Sequence, residues 1–209
     1  MYLRKLCLAA LVLAVAGCAV QKRPDSDPAT VAKARYVHSG PPEMTLYTMI
    51  NNRSGGGAHT SLMINAPSER VIFDPAGSFY SPVVPERDDV LFGITPAVER
   101  AYRGAHARET FHVVRQTVPL TAQQAETAYR LALSNGAVAG AFCASATSRL
   151  VSQIPGMGHI RSTMSPKRLS EEFAKLPGAV TDSYYEDDSA DLQDGIAREN
   201  ARLAANQEE

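Results

Sequence analysis

Three side chains can together transfer an acyl group: a thiol to attack, an imidazole to move the proton, and a carboxylate to orient the ring. Cys143, His59 and Asp74 are the residues of this chain placed to do so. Of the three cysteines, Cys7 lies in an apolar leader and Cys18 closes a small-residue triplet, so Cys143 alone belongs to the folded part. An unpaired cysteine in an exported chain is an intermolecular link, a reactive thiol or an inert core residue. Cys143 opens a helical segment in which Ala146, Leu150 and Ile154 share its face, while Ser145, Ser148, Arg149 and Ser152 take the other. A helix N-terminus, with its free N–H groups and positive dipole end, favours a thiolate. Taken alone, the stretch Ala137–Cys143 fits a small core residue in a tight turn equally well.

His59 starts a strand just after Gly55, Gly56 and Gly57, with Ser61 and Met63 on its face and Thr60, Leu62 and Ile64 on the other. An imidazole at the open end of a strand can reach the start of a helix packed across it. Asp74 ends the next strand, where it can hold the ring, although Asp74-Pro75-Ala76-Gly77 is also a plain β-turn signal. The other histidines are weaker. His38 falls in a polar tether and His106 in a polar turn, both expected in solvent. His112 is mid-strand, an alternative orienting group, and His159 is in a loop after the cysteine helix, placed to line a cleft. No pair has zinc-ligand spacing, and no glycine-rich loop leads into a helix as nucleotide sites require, so neither a metal nor a cofactor is expected.

These residues need elements to hold them. Strands are predicted over 44–50, 58–64, 70–73, 89–92 and 110–115, with a short helix over 96–103 capped by Thr95 ahead of Pro96. After Pro119 the period changes from two to 3.6. Thr121 and Gln124 form a capping box, a second helix runs from about Phe142 to Gln153, and a third starts at Ser165-Pro166 and buries Leu169, Phe173 and Leu176. Strands followed by helices predict an α+β domain, an antiparallel sheet packed against the cysteine-bearing helix.

The leader is Arg4-Lys5, an apolar run from Leu6 to Ala16, then Gly17-Cys18. The run is about half the ~20 residues a membrane span needs, and reads as a secretory signal. Val15-Ala16-Gly17-Cys18 resembles the bacterial lipobox, whose cysteine takes a lipid and becomes the new N-terminus. The chain divides into signal peptide 1–17, lipid-anchored tether 18–40, domain 41–185 and acidic, polar tail 186–209. Lipid on Cys18 would hold it at a bacterial membrane facing the periplasm. Ala19 stands where inner-membrane retention uses aspartate, which favours the outer membrane. A net charge of −1 without a basic stripe argues against nucleic acid as a partner.

Ala58–Ile64, Arg70–Gly77 and Phe142–Val151 resemble the circularly permuted NlpC-type papain-like hydrolases, a group whose order lecithin–retinol acyltransferase relatives share. The resemblance covers about residues 44–180. It implies a permuted papain-like fold with His59 as base, Asp74 as third member and Cys143 as nucleophile. Phe142 differs from the acidic residue usual before the cysteine, and Ala144 and Ala146 stand where Ser and Gly are common, differences that bear on substrate more than on fold. The implied activity is hydrolysis of an amide, in an exported protein a cell-wall peptide. An acyltransferase or lipid hydrolase of the same fold, and a catalytically inert lipoprotein binding module, are the alternatives.

Overall fold

The computed structural model describes residues 23–205. The signal segment 1–17 and the lipid-attachment motif at Cys18 lie outside the described residues. Seven strands form one sheet: β1 (Glu43–Asn51), β2 (Gly57–Asn65), β3 (Arg70–Phe73), β4 (Glu86–Arg87), β5 (Val90–Leu91), β6 (Phe111–Pro119) and β7 (Val180–Tyr184). Their order is β4-β5-β3-β2-β1-β6-β7, and each pairing is antiparallel. The described residues also form six helices: α1 (Pro28–Ala34), α2 (Pro96–His106), α3 (Ala122–Ser134), α4 (Cys143–Ser152), α5 (Pro166–Phe173) and α6 (Leu192–Ala205). The chain is α+β with an antiparallel sheet, as its strand and helix periods imply.

The sheet is covered on both faces, which is why its central strands read as nearly continuous apolar runs. Alternate residues of β1 and β2 divide between two cores. Met44, Leu46, Leu62 and Ile64 pack with Ala125 and Ala128 of α3, Ala146 and Leu150 of α4, and Leu169 and Phe173 of α5. Tyr47, Met49 and Met63 pack with Val98, Ala101 and Tyr102 of α2 and with Ile196 and Leu203 of α6. The polar face of α4 is only partly solvated. Ser145 and Ser148 are buried, and Ser148 Oγ accepts the Thr163 N–H at 3.1 Å from the loop that crosses it.

The described residues at either end, 23–40 and 186–205, belong to this body. Asp27 Oδ1 accepts the Ala29 and Thr30 N–H groups, each at 3.0 Å, and Pro28 opens α1, so residues 28–34 of the stretch expected to be a tether are helical. The segment expected to be a polar tail forms α6, whose Ile196 and Leu203 are seven residues apart and share the face toward α2. Gly195 makes this approach possible, since a Cβ there would lie 2.9 Å from the Ala105 carbonyl oxygen. The edge strand β7, mostly exposed, has no apolar alternation to betray it.

Candidate active site

His59 owes its reach to a fault in the ladder. Met49 pairs with His59 but Ile50 pairs with Gly57, so Ala58 is a bulge immediately before the histidine. On the other edge β3 stops early. Its last pair with β2 is Leu62 with Phe73, so Ser61, Thr60 and His59 have no β3 neighbour and a notch opens there. Asp74 is the first residue past β3, and its Oδ1 sits 2.7 Å from His59 Nε2.

A tyrosine secures the carboxylate from behind. Tyr102 Oη lies 2.7 Å from Asp74 Oδ1 and 2.8 Å from Ser61 Oγ. The carboxylate can only accept, so Tyr102 donates to Asp74 and Ser61 donates to Tyr102. Burial works to raise the Asp74 pKa, but the His59 hydrogen bond and charge, with the Tyr102 hydroxyl, hold it below the usual carboxylate value. Asp74 is 4 % exposed and ionised.

Cys143 arrives from the opposite face of the sheet, as the first residue of α4. Its sulfur is within hydrogen-bond reach of the His59 ring and of the Thr60 and Ala144 N–H groups. Asp74 occupies Nε2, which leaves Nδ1 for the sulfur. Thr60 can donate here because β3 has already ended. The helix start is otherwise bare: Phe142, the N-cap residue, makes no side-chain capping bond, whereas Asp27, Thr95, Thr121 and Ser165 cap α1, α2, α3 and α5. First-turn N–H groups without intrahelical acceptors therefore surround the thiol.

Burial opposes charge on both partners, pushing the thiol up and the imidazole down. It loses in each case. The His59 hydrogen bond and positive charge, helped by the two N–H groups, bring Cys143 below the ordinary thiol value. The hydrogen bonds and charges of Asp74 and Cys143 lift His59 to about 10. This geometry favours the charged form of each partner, thiolate and imidazolium.

The site has a second histidine. His106, expected in solvent, is 5 % exposed at the end of α2 and stacks on His59 with ring centroids 6.2 Å apart. Its Nδ1 donates to the Tyr102 carbonyl at 2.7 Å. Burial first, then the His59 charge, pull its pKa down to about 4, so it is neutral. His159, expected near a cleft, is exposed, and His112, on β6 two strands from His59, hydrogen-bonds Asn52, so Asp74 and not His112 holds the His59 ring.

Comparison with protein-family models, with curated proteins and with solved structures finds no match.

A residue that no local motif announces holds the site together. Asp89, buried and with φ of 63°, accepts the Asp74 N–H through its carbonyl at 2.8 Å. Its carboxylate Oδ2 accepts the Ala76 N–H at 3.0 Å and the Val138 N–H at 2.7 Å. One side chain thus fastens the Asp74 turn to the loop that delivers Cys143. Gly77 closes that turn so tightly that a Cβ would fall 1.9 Å from Asp74 Oδ2. Tyr102 and His106 are four apart in α2, a spacing that puts both on one helix face; that periodicity was their one legible signal. Among the described residues no group of three or more His, Cys, Asp or Glu is arranged to hold a metal ion, and no helix is long and apolar enough to cross a membrane.

Proposed function

We propose that this chain is a cysteine hydrolase of the permuted NlpC-type papain-like kind, anchored at a bacterial membrane through lipid on Cys18 and cleaving an amide of a cell-wall peptide. The observation that carries the reading is a single imidazole bonded on one side to a buried carboxylate and on the other to the one thiol among the described residues. An inert scaffold has no need for that alignment, and leaving a buried ion pair without a task is costly. Cys143 attacks the carbonyl carbon, His59 gives its proton to the departing nitrogen, and water, deprotonated by the same ring, then releases the acyl group. Asp74 keeps Nε2 protonated and Nδ1 aimed at the sulfur. The Cys143 N–H, first in α4, is the oxyanion donor. The cell-wall substrate rests on the export signal and on the family resemblance.

Acyl transfer or hydrolysis at a lipid is the second reading, favoured by one feature: Phe142 is 46 % exposed directly beside the nucleophile. Incubating purified protein with peptidoglycan fragments and, separately, with phospholipid vesicles distinguishes the two by product mass. Cys143→Ala should abolish whichever reaction occurs. Product formation from neither substrate, or formation that survives Cys143→Ala, would overturn the enzyme reading.

A further inference from the structure

A cavity of about 160 Å³ lies behind His59, lined by the histidine itself, Gly77, His106, Arg108, Phe111 and Leu192 among others. Cys143 is not among its walls. Liquid water takes about 30 Å³ per molecule, so the space holds roughly five waters or one amino acid the size of glycine or alanine. Its polar groups are unusual. Arg108 is held by Nε to Thr110 Oγ1 at 3.3 Å and by its guanidinium 4.8 Å above the Phe111 ring. Its Nη1 is buried without a hydrogen-bond partner among the described residues. Asp191 is close enough for its charge to act on Arg108, but its Oδ1 accepts the Gln193 N–H. An unmade bond at a guanidinium N–H is costly, and a carboxylate is the ligand whose shape it fits. Also in the lining, His106 uses its Nδ1 proton on the Tyr102 carbonyl, which leaves neutral Nε2 as an acceptor.

The acyl carbon must bond to sulfur, while the departing nitrogen must meet the His59 proton. A pocket walled by His59 but not by Cys143 therefore lies on the leaving-group side. We propose that this cavity receives the amino acid released by the reaction, with Arg108 binding its free carboxylate and His106 accepting from its amine. The substrate class is then an acyl–amino acid, or a peptide cut just before a small C-terminal residue. This inference rests on the hydrolase reading above. In the step itself the Cys143 sulfur–carbon bond forms, the carbon–nitrogen bond breaks, and the His59 proton passes to the nitrogen. The free amino acid leaves. Water then cleaves the thioester, giving the carboxylic acid and restoring thiolate and imidazolium.

The test compares matched N-acyl dipeptides ending in alanine as the free acid or as the carboxamide. The free acid should be the better substrate by roughly 10- to 100-fold in kcat/KM, the range of a charge-assisted hydrogen bond. Arg108→Gln should erase that preference, mainly through KM, and leave the pH profile of Cys143 alkylation by iodoacetamide unchanged; Arg108→Lys should retain part of it. Separately, Cys143→Ala should bind free alanine, followed by NMR titration of the His106 ring, and the double variant with Arg108→Gln should not. Equal hydrolysis of acid and amide by the unaltered protein would overturn the cavity assignment and spare the hydrolase. Absence of any Cys143-dependent hydrolysis, with alanine still bound, would overturn the hydrolase and spare the amino-acid site. No binding of alanine to Cys143→Ala would overturn the site on its own.

Discussion

Gly77→Ala tests the site through a residue that does no chemistry. The φ of Gly77 lies outside the left-handed region, so alanine fits the backbone and the strain falls on its neighbour. The added Cβ would start 1.9 Å from Asp74 Oδ2, and ordinary contact begins at 3.4 Å, so the carboxylate must retreat by about 1.5 Å. Oδ1 belongs to the same rigid group. Its 2.7 Å bond to His59 would stretch to roughly 4 Å, beyond hydrogen-bond range. Losing a hydrogen bond between charged partners costs roughly 1.5–3 kcal/mol, or about one to two pKa units at 1.36 kcal/mol each. His59, lifted to about 10 in the native site, should then titrate between roughly 8 and 9. The sign follows from linkage. A raised imidazole pKa contributes stability that is complete below its unfolded value near 6.5 and is lost as pH rises through the folded value. Gly77→Ala should therefore bring the alkaline loss of both stability and ion pair to lower pH. His59 can be followed by NMR and Cys143 by the pH dependence of iodoacetamide labelling. An unchanged His59 titration in a folded Gly77→Ala protein would refute the claim that this carboxylate, in this position, sets the charge of the base.

Tyr102→Phe removes the second donor to Asp74 Oδ1. A depressed carboxylate pKa adds stability above its unfolded value near 3.9 and loses it as pH falls through the folded value, so the variant should unfold at higher pH during acid titration, read by circular dichroism. An unmoved acid midpoint would show that the hydroxyl does not support the charge. Asp89→Ala leaves two N–H groups unpaired, at about 1–3 kcal/mol each, so urea denaturation should show a loss of roughly 2–6 kcal/mol together with slower alkylation of Cys143. A loss of stability without any change in Cys143 reactivity would mean that Asp89 steadies the fold and not the site. Cys18→Ser should shift the protein from the membrane fraction to a soluble or unprocessed form; a processed, membrane-bound Cys18→Ser protein of unchanged mobility would exclude lipid on that residue.

The strands 44–50, 58–64 and 70–73 were legible because short runs of strand-forming residues stand there between polar turns. The helix starts at Thr95, Thr121 and Ser165 were legible because caps are local chemistry. His59, Asp74 and Cys143 stood out by type and by position at element ends. What the sequence hid was long-range. His106 looked solvated because its neighbours are polar, yet α2 runs three residues past the predicted end at Arg103 and carries the ring under His59. Nothing local says that the Thr163 loop will cover Ser148 of α4. The segment from 186 onward looked like a tail because two apolar residues at heptad spacing give a weak signal until α2 is known to present Gly104 and Ala105 opposite them.

The site joins two cores that the sheet otherwise keeps apart. Cys143 belongs to the layer of α3, α4 and α5, through Ala146 and Leu150, while His59, Asp74, Tyr102 and His106 belong to the layer of α2 and α6. A complete sheet would separate them, since side chains on opposite faces of a strand point away from each other. Two local irregularities remove the barrier. The bulge at Ala58 re-aims His59, and the early end of β3 exposes the strand edge through which the sulfur, the ring and the Thr60 N–H meet. Asp89, just before β5, then ties together the two chain segments that flank this opening. Continuous pairing would stabilise the sheet by further ladder bonds, and the chain forgoes them where the three reactive groups converge. A packing role for the buried thiol accounts for none of these departures, whereas the proposed nucleophile, addressed by a base from across the sheet, would use each of them.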